Sequence, residues 1–138
     1  MLDVHLLIMI YGIGIDLVRV SRIEDALNRW GERFIGRVFA AEEAALCLKR
    51  AVPSSCFALR FAAKEAFSKA IGLGMRKGVR WKDIEVFHHP GGKPGLKLHG
   101  RSLEICNEAG ITRIHLSLSD DRGYGVATVI LEQGHAAG

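Results

Sequence analysis

Residues 56–72 read CFALRFAAKEAFSKAIG, and the fold turns on what this stretch does. At about 100° per residue, Leu59, Ala62, Ala63, Ala66 and Ala70 share one side of a helix. A side built from small residues lets a neighbouring backbone come close, so it is expected to be a packing face. Ser54 or Ser55 is the expected cap, and Gly72 the expected stop, with Gly74 continuing the turn. The remaining arc interleaves Arg60, Lys64, Glu65, Ser68 and Lys69 with Phe57 and Phe61. A merely solvated face would not hold two phenylalanines. Either they pack on the first strand and draw Glu65 toward Asp16, or they lie in a subunit interface.

Upstream, the run from Ile8 to Val20 is rich in Ile, Val and Leu, and a period of two places Gly12, Gly14 and Asp16 on one face. Glycine weakens a strand unless something must approach its backbone, so this face reads as the floor of a ligand site. The plainer alternative is a twisted strand ending in a solvated aspartate. Residues 1–8 are apolar but lack a basic leader and a small-residue cleavage site. They read as an N-terminal extension ahead of a start at Met9, or as a lengthening of the strand.

Ser21 is placed to cap a helix in which Ile23, Ala26, Leu27, Trp30 and Phe34 face inward. Arg22, Arg29, Arg33 and Arg37 form an adjacent stripe, which Gly31 is placed to interrupt. Such a stripe is commonly a solvated face. A further helix over about 41–50 ends before Pro53, because the residue before proline resists helical geometry. The second half reads as sheet. Ile84 to Phe87 and Leu96 to Leu98 form a hairpin across a turn from Pro90 to Gly95, and a short helix over 101–109 ends at Gly110. Strands follow at Ile114 to Ser119 and Tyr124 to Leu131, with residues 133–138 expected to be a loose tail.

At 138 residues the chain is expected to be a single domain over 1–138. Its 49% hydrophobic and 25% charged residues are an ordinary globular balance and exclude disorder. The net charge of +4 favours acidic partners such as nucleic acid, anionic lipid, a phosphorylated ligand or an acidic protein, without choosing among them. Cys47, Cys56 and Cys106 show no CxxC pairing and read as reduced thiols of a cytoplasmic protein. No segment is long enough to span a membrane. A glycine-rich phosphate loop of the Walker type is absent, as are a serine nucleophile elbow and an acidic orienter for His115. His88 and His89, adjacent in a turn, read as surface histidines.

Two carboxylates stand out: Asp16 after the glycine face and Glu65 within KEAFSK. Magnesium takes oxygen ligands and often uses one or two carboxylates, with substrate phosphates and water completing its octahedron. With Arg60, Lys64 and Lys69 close by, the pair suits a metal-bound pyrophosphate. The bland alternative is that Glu65 pairs with Lys69 at i,i+4.

GIGIDLVRVSRIE near the start and RFAAKEAFSKAIG in the middle, followed by GLG, DIEVF, GGKP and HLSLSDDRGYGVATVIL, resemble the holo-acyl-carrier-protein synthases. These are the short trimeric type of the 4′-phosphopantetheinyl transferase superfamily. The resemblance runs from Met9 to Glu132. It implies an α+β fold, a small antiparallel sheet packed with a long central helix, assembled as a homotrimer with active sites between subunits.

The implied activity is transfer of the 4′-phosphopantetheine arm of coenzyme A to a serine of an acyl carrier protein, with release of adenosine 3′,5′-bisphosphate. It further implies magnesium on Asp16 and Glu65, coenzyme A contacts from Arg60 and Lys69, and a cofactor cleft at Ser68 and the Gly72 to Gly74 turn. Lys69 joins Asp16 and Glu65 as a catalytic residue, with Glu65, or a metal-bound water assisted by it, the candidate base. Arg22, Arg29 and Arg33 are expected to dock an acidic helix of the carrier protein. Many relatives carry a histidine where this chain has Asp120; an aspartate cannot donate as histidine does, so no phosphate-binding role passes to it. A nucleic-acid module would cluster its aromatics with the basic groups; the two Trp and two Tyr are scattered, and a bare scaffold leaves Asp16, Glu65 and Lys69 unexplained.

Overall fold

The structure, a computed structural model, describes residues 6–136. In chain order it runs β1 (Leu6–Arg19), α1 (Val20–Trp30), α2 (Glu32–Val38), α3 (Ala41–Leu48), α4 (Pro53–Ile71), a 3-10 turn (Trp81–Asp83), β2 (Ile84–His88), β3 (Pro94–Leu98), α5 (Gly100–Glu108), β4 (Ile111–Asp121) and β5 (Tyr124–Ala136). The stretch that decides the fold is indeed helical, as α4. Its first turn is opened by Pro53 rather than by a serine cap, which costs little because an N–H at that position has no intrahelical partner. Gly72 ends the helix at φ 86°, a conformation that glycine adopts without a side-chain penalty. Ser21 likewise caps nothing: α1 begins at Val20, with Arg19 at its N-cap.

Most of α4 is buried, on more sides than the alanine stripe: Phe57, Ala58, Ala62, Ala63, Ala66 and Phe67 are all shielded from solvent. The two phenylalanines of the mixed arc do not lie on the first strand. Phe57 packs against Phe39, with ring centroids 4.7 Å apart, and Phe61 lies between Phe34 and Trp81 at 6.5 and 6.4 Å. They fasten α4 to the helical layer.

The other side of α4 lies on a three-stranded antiparallel sheet of order β1-β5-β4. A Cβ on Gly12 would stand 1.9 Å from the Ala70 carbonyl oxygen, and one on Gly14 would stand 1.8 Å from that of Ala66. The glycine face is therefore the bed of a helix and not the floor of a ligand site. The same alternation leaves Ile13, Ile15 and Leu17 on the far face, about 60% exposed. The hairpin β2-β3 forms a separate two-stranded sheet.

Two expectations are corrected here, and one left open is decided. β5 pairs with β1 out to Leu6↔Ala136, so residues 133–136 are strand rather than a loose tail, and residues 6–8 belong to β1. Residues 1–5 and 137–138 lie outside the described residues. Cys47 and Cys56 are joined in a disulfide that ties α3 to the start of α4, so only Cys106 is a free thiol. It is buried, and burial raises its pKa to about 11.

Gly14→Ala is expected to lower stability by about 3 kcal/mol, since the added methyl meets backbone that can yield only by lifting α4 off β1. Urea denaturation measures it; a variant as stable as the parent would mean that the helix does not lie on this strand.

Candidate active site

The packing of α4 on β1 brings Asp16 to the helix. Lys69 Nζ donates to Asp16 Oδ1 at 3.0 Å and to the Ile15 carbonyl at 2.9 Å. Glu65 stands one helical turn before Lys69 on the same face, so the contact that binds Lys69 to Asp16 sets both carboxylates along one edge of α4. The i,i+4 pair of Glu65 with Lys69 does not form. Among the described residues no cation lies within ion-pair distance of Glu65. Its Oε1 instead accepts a hydrogen bond from Trp81 Nε1 at 2.9 Å.

These donors suit a particular kind of metal. Among the described residues there is no group of three or more His, Cys, Asp or Glu arranged to hold an ion. A carboxylate without a cation and a second one bridged to a half-exposed lysine suit magnesium, which takes few protein ligands and relies on substrate oxygens. The residues present fit that ion.

Two proposed cofactor contacts are corrected. Lys64 has a fully buried side chain, and its Nζ donates to Glu43 Oε1 at 2.7 Å, to the Trp81 carbonyl at 3.0 Å and to the Ile84 carbonyl at 2.5 Å. All three ammonium protons are thereby used, and none remains for a phosphate. Burial lowers its pKa, against the opposing pull of the Glu43 charge and hydrogen bond. Ser68 is 1% exposed and returns its hydroxyl to the Glu65 carbonyl at 2.6 Å. Both residues fasten the helix rather than face a cleft. Gly72 and Gly74 form the expected turn, with φ of 86° and 64°.

Arg60 is also deeply buried; its Nη1 donates to Cys56 Sγ at 3.1 Å, and its Nε makes no hydrogen bond but lies 4.0 Å from Glu43 Oε2. Yet it reaches the wall of a cavity of about 270 Å³ shared with Arg50, Leu59, His88 and Asp120. The His88 pKa is lowered by burial and then by the charges of Arg60 and Arg50, so the cavity repels a further proton and favours an anion. Arg50 and His88 had no sequence signal, one ending a helix and the other resembling any surface histidine. Asp120 joins them only because β4 carries it there. Glu43, which anchors Lys64, was equally silent within AEEAAL.

The arginine stripe is broken at Gly31, where φ is 53°. Arg22 sits 5.7 Å from the centre of the Phe61 ring and lines a groove of about 350 Å³ that also holds Ile23, Arg37 and Trp81. Arg33 and Arg37 line an adjoining groove with Trp30 and Phe34, while Arg29 stacks over Trp30 at 5.0 Å. The fold thus sets Arg22 and Arg37 on one groove with Trp81, the partner of Glu65.

Residues 12–129 match the family model of the 4′-phosphopantetheinyl transferase superfamily. A holo-acyl-carrier-protein synthase from Koribacter versatilis is 48% identical over 124 residues, covering 90% of this chain and 99% of the relative. The crystal structure of such a synthase from Neisseria meningitidis superposes with a TM-score of 0.84 at 38% identity, covering 89% of this chain and 98% of that one. One from Helicobacter pylori, in complex with coenzyme A, gives 0.76 at 34% identity over 86% and 98% of the two chains.

An anion drawn into the Arg50–Arg60–His88 cavity offsets the field that holds the His88 pKa down. Proton NMR titration is expected to show the His88 ring titrating below its ordinary value in the free protein, and higher when pyrophosphate is added. No upward movement would mean that the cavity does not take anions.

Proposed function

This chain belongs to the 4′-phosphopantetheinyl transferase superfamily, and we propose that Asp16, Glu65 and Lys69 form the centre at which it transfers 4′-phosphopantetheine from coenzyme A to a serine of apo acyl carrier protein. The observation that carries this assignment is the Lys69 to Asp16 contact across the α4–β1 junction, beside a Glu65 that has no cationic partner. The serine oxygen forms a bond to the β-phosphorus as the bond from that phosphorus to the bridging oxygen breaks; the serine proton passes to a base, for which Glu65 or a water beside it is the candidate, and adenosine 3′,5′-bisphosphate leaves with the bridging oxygen. Almost all the help a protein can give such a step is positioning and charge compensation.

Asp16 and Glu65 are the residues that would hold magnesium, which when bound supplies neutralisation of pyrophosphate charge. Lys69 has a half-exposed side chain, so its ammonium can turn from Asp16 to a phosphate oxygen without leaving the site. Arg60 and Arg50, beside His88, offer a second positive region for the phosphates of coenzyme A. The two adjoining grooves edged by Arg22, Arg33 and Arg37, with Arg29 beside them, offer positive charge to an acidic carrier helix next to Glu65.

The chain acts as one domain and as a homotrimer. The far face of the sheet supports the assembly: Ile13, Ile15 and Leu17 pair across β5 with Ile130, Thr128 and Val126, and an apolar face of this kind calls for a cover. Among the described residues no helix is long and apolar enough to cross a membrane, and a cytoplasmic place of work suits that. Nucleic acid is not needed to account for the basic charge.

Mass spectrometry of a carrier protein incubated with enzyme, coenzyme A and magnesium tests the activity. Asp16→Ala and Glu65→Ala are each expected to lower turnover by about 100-fold or more while the fold is kept. Reversing Arg22 and Arg33 to Glu should raise KM for the carrier and spare that for coenzyme A. Wild-type turnover in the Asp16/Glu65 double variant would end the assignment.

Sedimentation at micromolar concentration is expected to report three chains per particle for the parent and smaller particles for Leu17→Lys, which places a charge in the apolar face. A fully active monomeric parent would exclude a site shared between subunits.

A further inference from the structure

We propose that Trp81 is a positioning residue, which holds Oε1 of Glu65 through its indole N–H and leaves Oε2 uncommitted for the metal. The inference rests on the reading of Glu65 as a magnesium ligand and extends it to a residue outside the motif. A carboxylate on a helix can turn about its terminal bonds, and one that must present a fixed oxygen needs a partner for the other. The Nε1–Oε1 distance of 2.9 Å is that of a well-made hydrogen bond.

The chemistry of the donor matters. An indole N–H donates a single hydrogen bond and carries no net charge. It can orient the carboxylate without cancelling the negative charge that a cation requires, which an ammonium would do. The two lysines nearest in sequence are held elsewhere, Lys64 by Glu43 and Lys69 by Asp16.

Trp81 is fixed at both ends. Its carbonyl accepts from the buried Lys64 Nζ at 3.0 Å, and its ring stacks on Phe61, 6.4 Å between centroids with planes 22° apart. Lys64 is itself pinned by Glu43, whose Oε1 also accepts from the Ala40 amide and whose Oε2 accepts from that of Val86. A continuous run of hydrogen bonds, Glu43 to Lys64 to Trp81 to Glu65, thus reaches from the core to the site. A donor set so firmly seated can hold the carboxylate within the narrow tolerance that a metal ligand needs.

Magnesium is titrated by calorimetry into the full protein saturated with coenzyme A, as parent, Trp81→Phe and Glu65→Ala. Phenylalanine keeps the stack and removes only the donor. Magnesium affinity is expected to fall about 10-fold in Trp81→Phe and to vanish in Glu65→Ala, while the thermal midpoint of Trp81→Phe stays near that of the parent. If Glu65→Ala removes binding and Trp81→Phe binds as the parent does, the positioning role is wrong and the function stands. If Glu65→Ala binds magnesium normally, the metal assignment itself fails, and this inference with it. Should Trp81→Phe not fold, Trp30→Phe decides, because it leaves Trp81 as the sole tryptophan. Its emission is expected to shift with added magnesium, and an unchanged spectrum on binding overturns the proposal.

Discussion

Everything at the site depends on the approach of one helix to one strand. The carbonyl oxygens of Ala66 and Ala70 occupy the space where side chains at Gly14 and Gly12 would begin, and no other residue type admits that distance. The gain is dispersion and apolar burial along the whole length of α4. The consequence is chemical. Two residues beyond Gly14, Asp16 comes within reach of Lys69, and a strand carboxylate and a helix carboxylate are placed on one edge without any loop between them. Rigid elements hold a site more tightly than loops do.

A buried charge pair stands behind that contact. Removing Lys64 and Glu43 from water is expensive, and their attraction offsets the cost only when the remaining donors and acceptors are satisfied. Here they are: the ammonium has three acceptors, and the carboxylate receives the amides of Ala40 and Val86. The pair joins α3, α4, the turn at Trp81 and β2, which are far apart in sequence. An apolar pair could fill the same volume but could not fix the Trp81 and Ile84 carbonyls in direction. The pair therefore settles where the Trp81 segment lies, and with it the surroundings of Glu65.

How much of this could be read from the residues follows from the range of the signals. The α4 helix, its alanine face and the close approach at the glycine pair were legible because local periodicity and small residues report on close packing. The meaning of the glycines was misread, as a ligand floor, because sequence shows that something approaches but not what. Arg60, Lys64 and Lys69 look alike on a helical projection, yet one is in the core, one on a cavity wall and one half-exposed. That difference is made by Glu43, Cys56 and Asp16, partners that only tertiary contact supplies. The disulfide was missed for the same reason: Cys47 and Cys56 are 9 positions apart in sequence, and the turn between α3 and α4 closes the gap. Trp81 carried no signal, since a tryptophan at the end of a loop is ordinarily packing.

The strand that carries Asp16 also carries the apolar face, and the two are linked by its period of two. With Gly12, Gly14, Asp16 and Val18 turned toward α4, the residues between them must turn away, which is why Ile13, Ile15 and Leu17 are exposed together. A slip of one residue would exchange the faces, sending isoleucines into the carbonyls of α4 and Asp16 away from Lys69. Pairing of Gly14 with Val129 and of Asp16 with Ala127 holds the register, and the irregularity between Ile10 and Gly12 marks where it is reset. Beyond that point Ile8, Met9 and Ile10 are all exposed, since no helix covers either side. The exposure of the outer face and the placement of Asp16 are thus two consequences of one register.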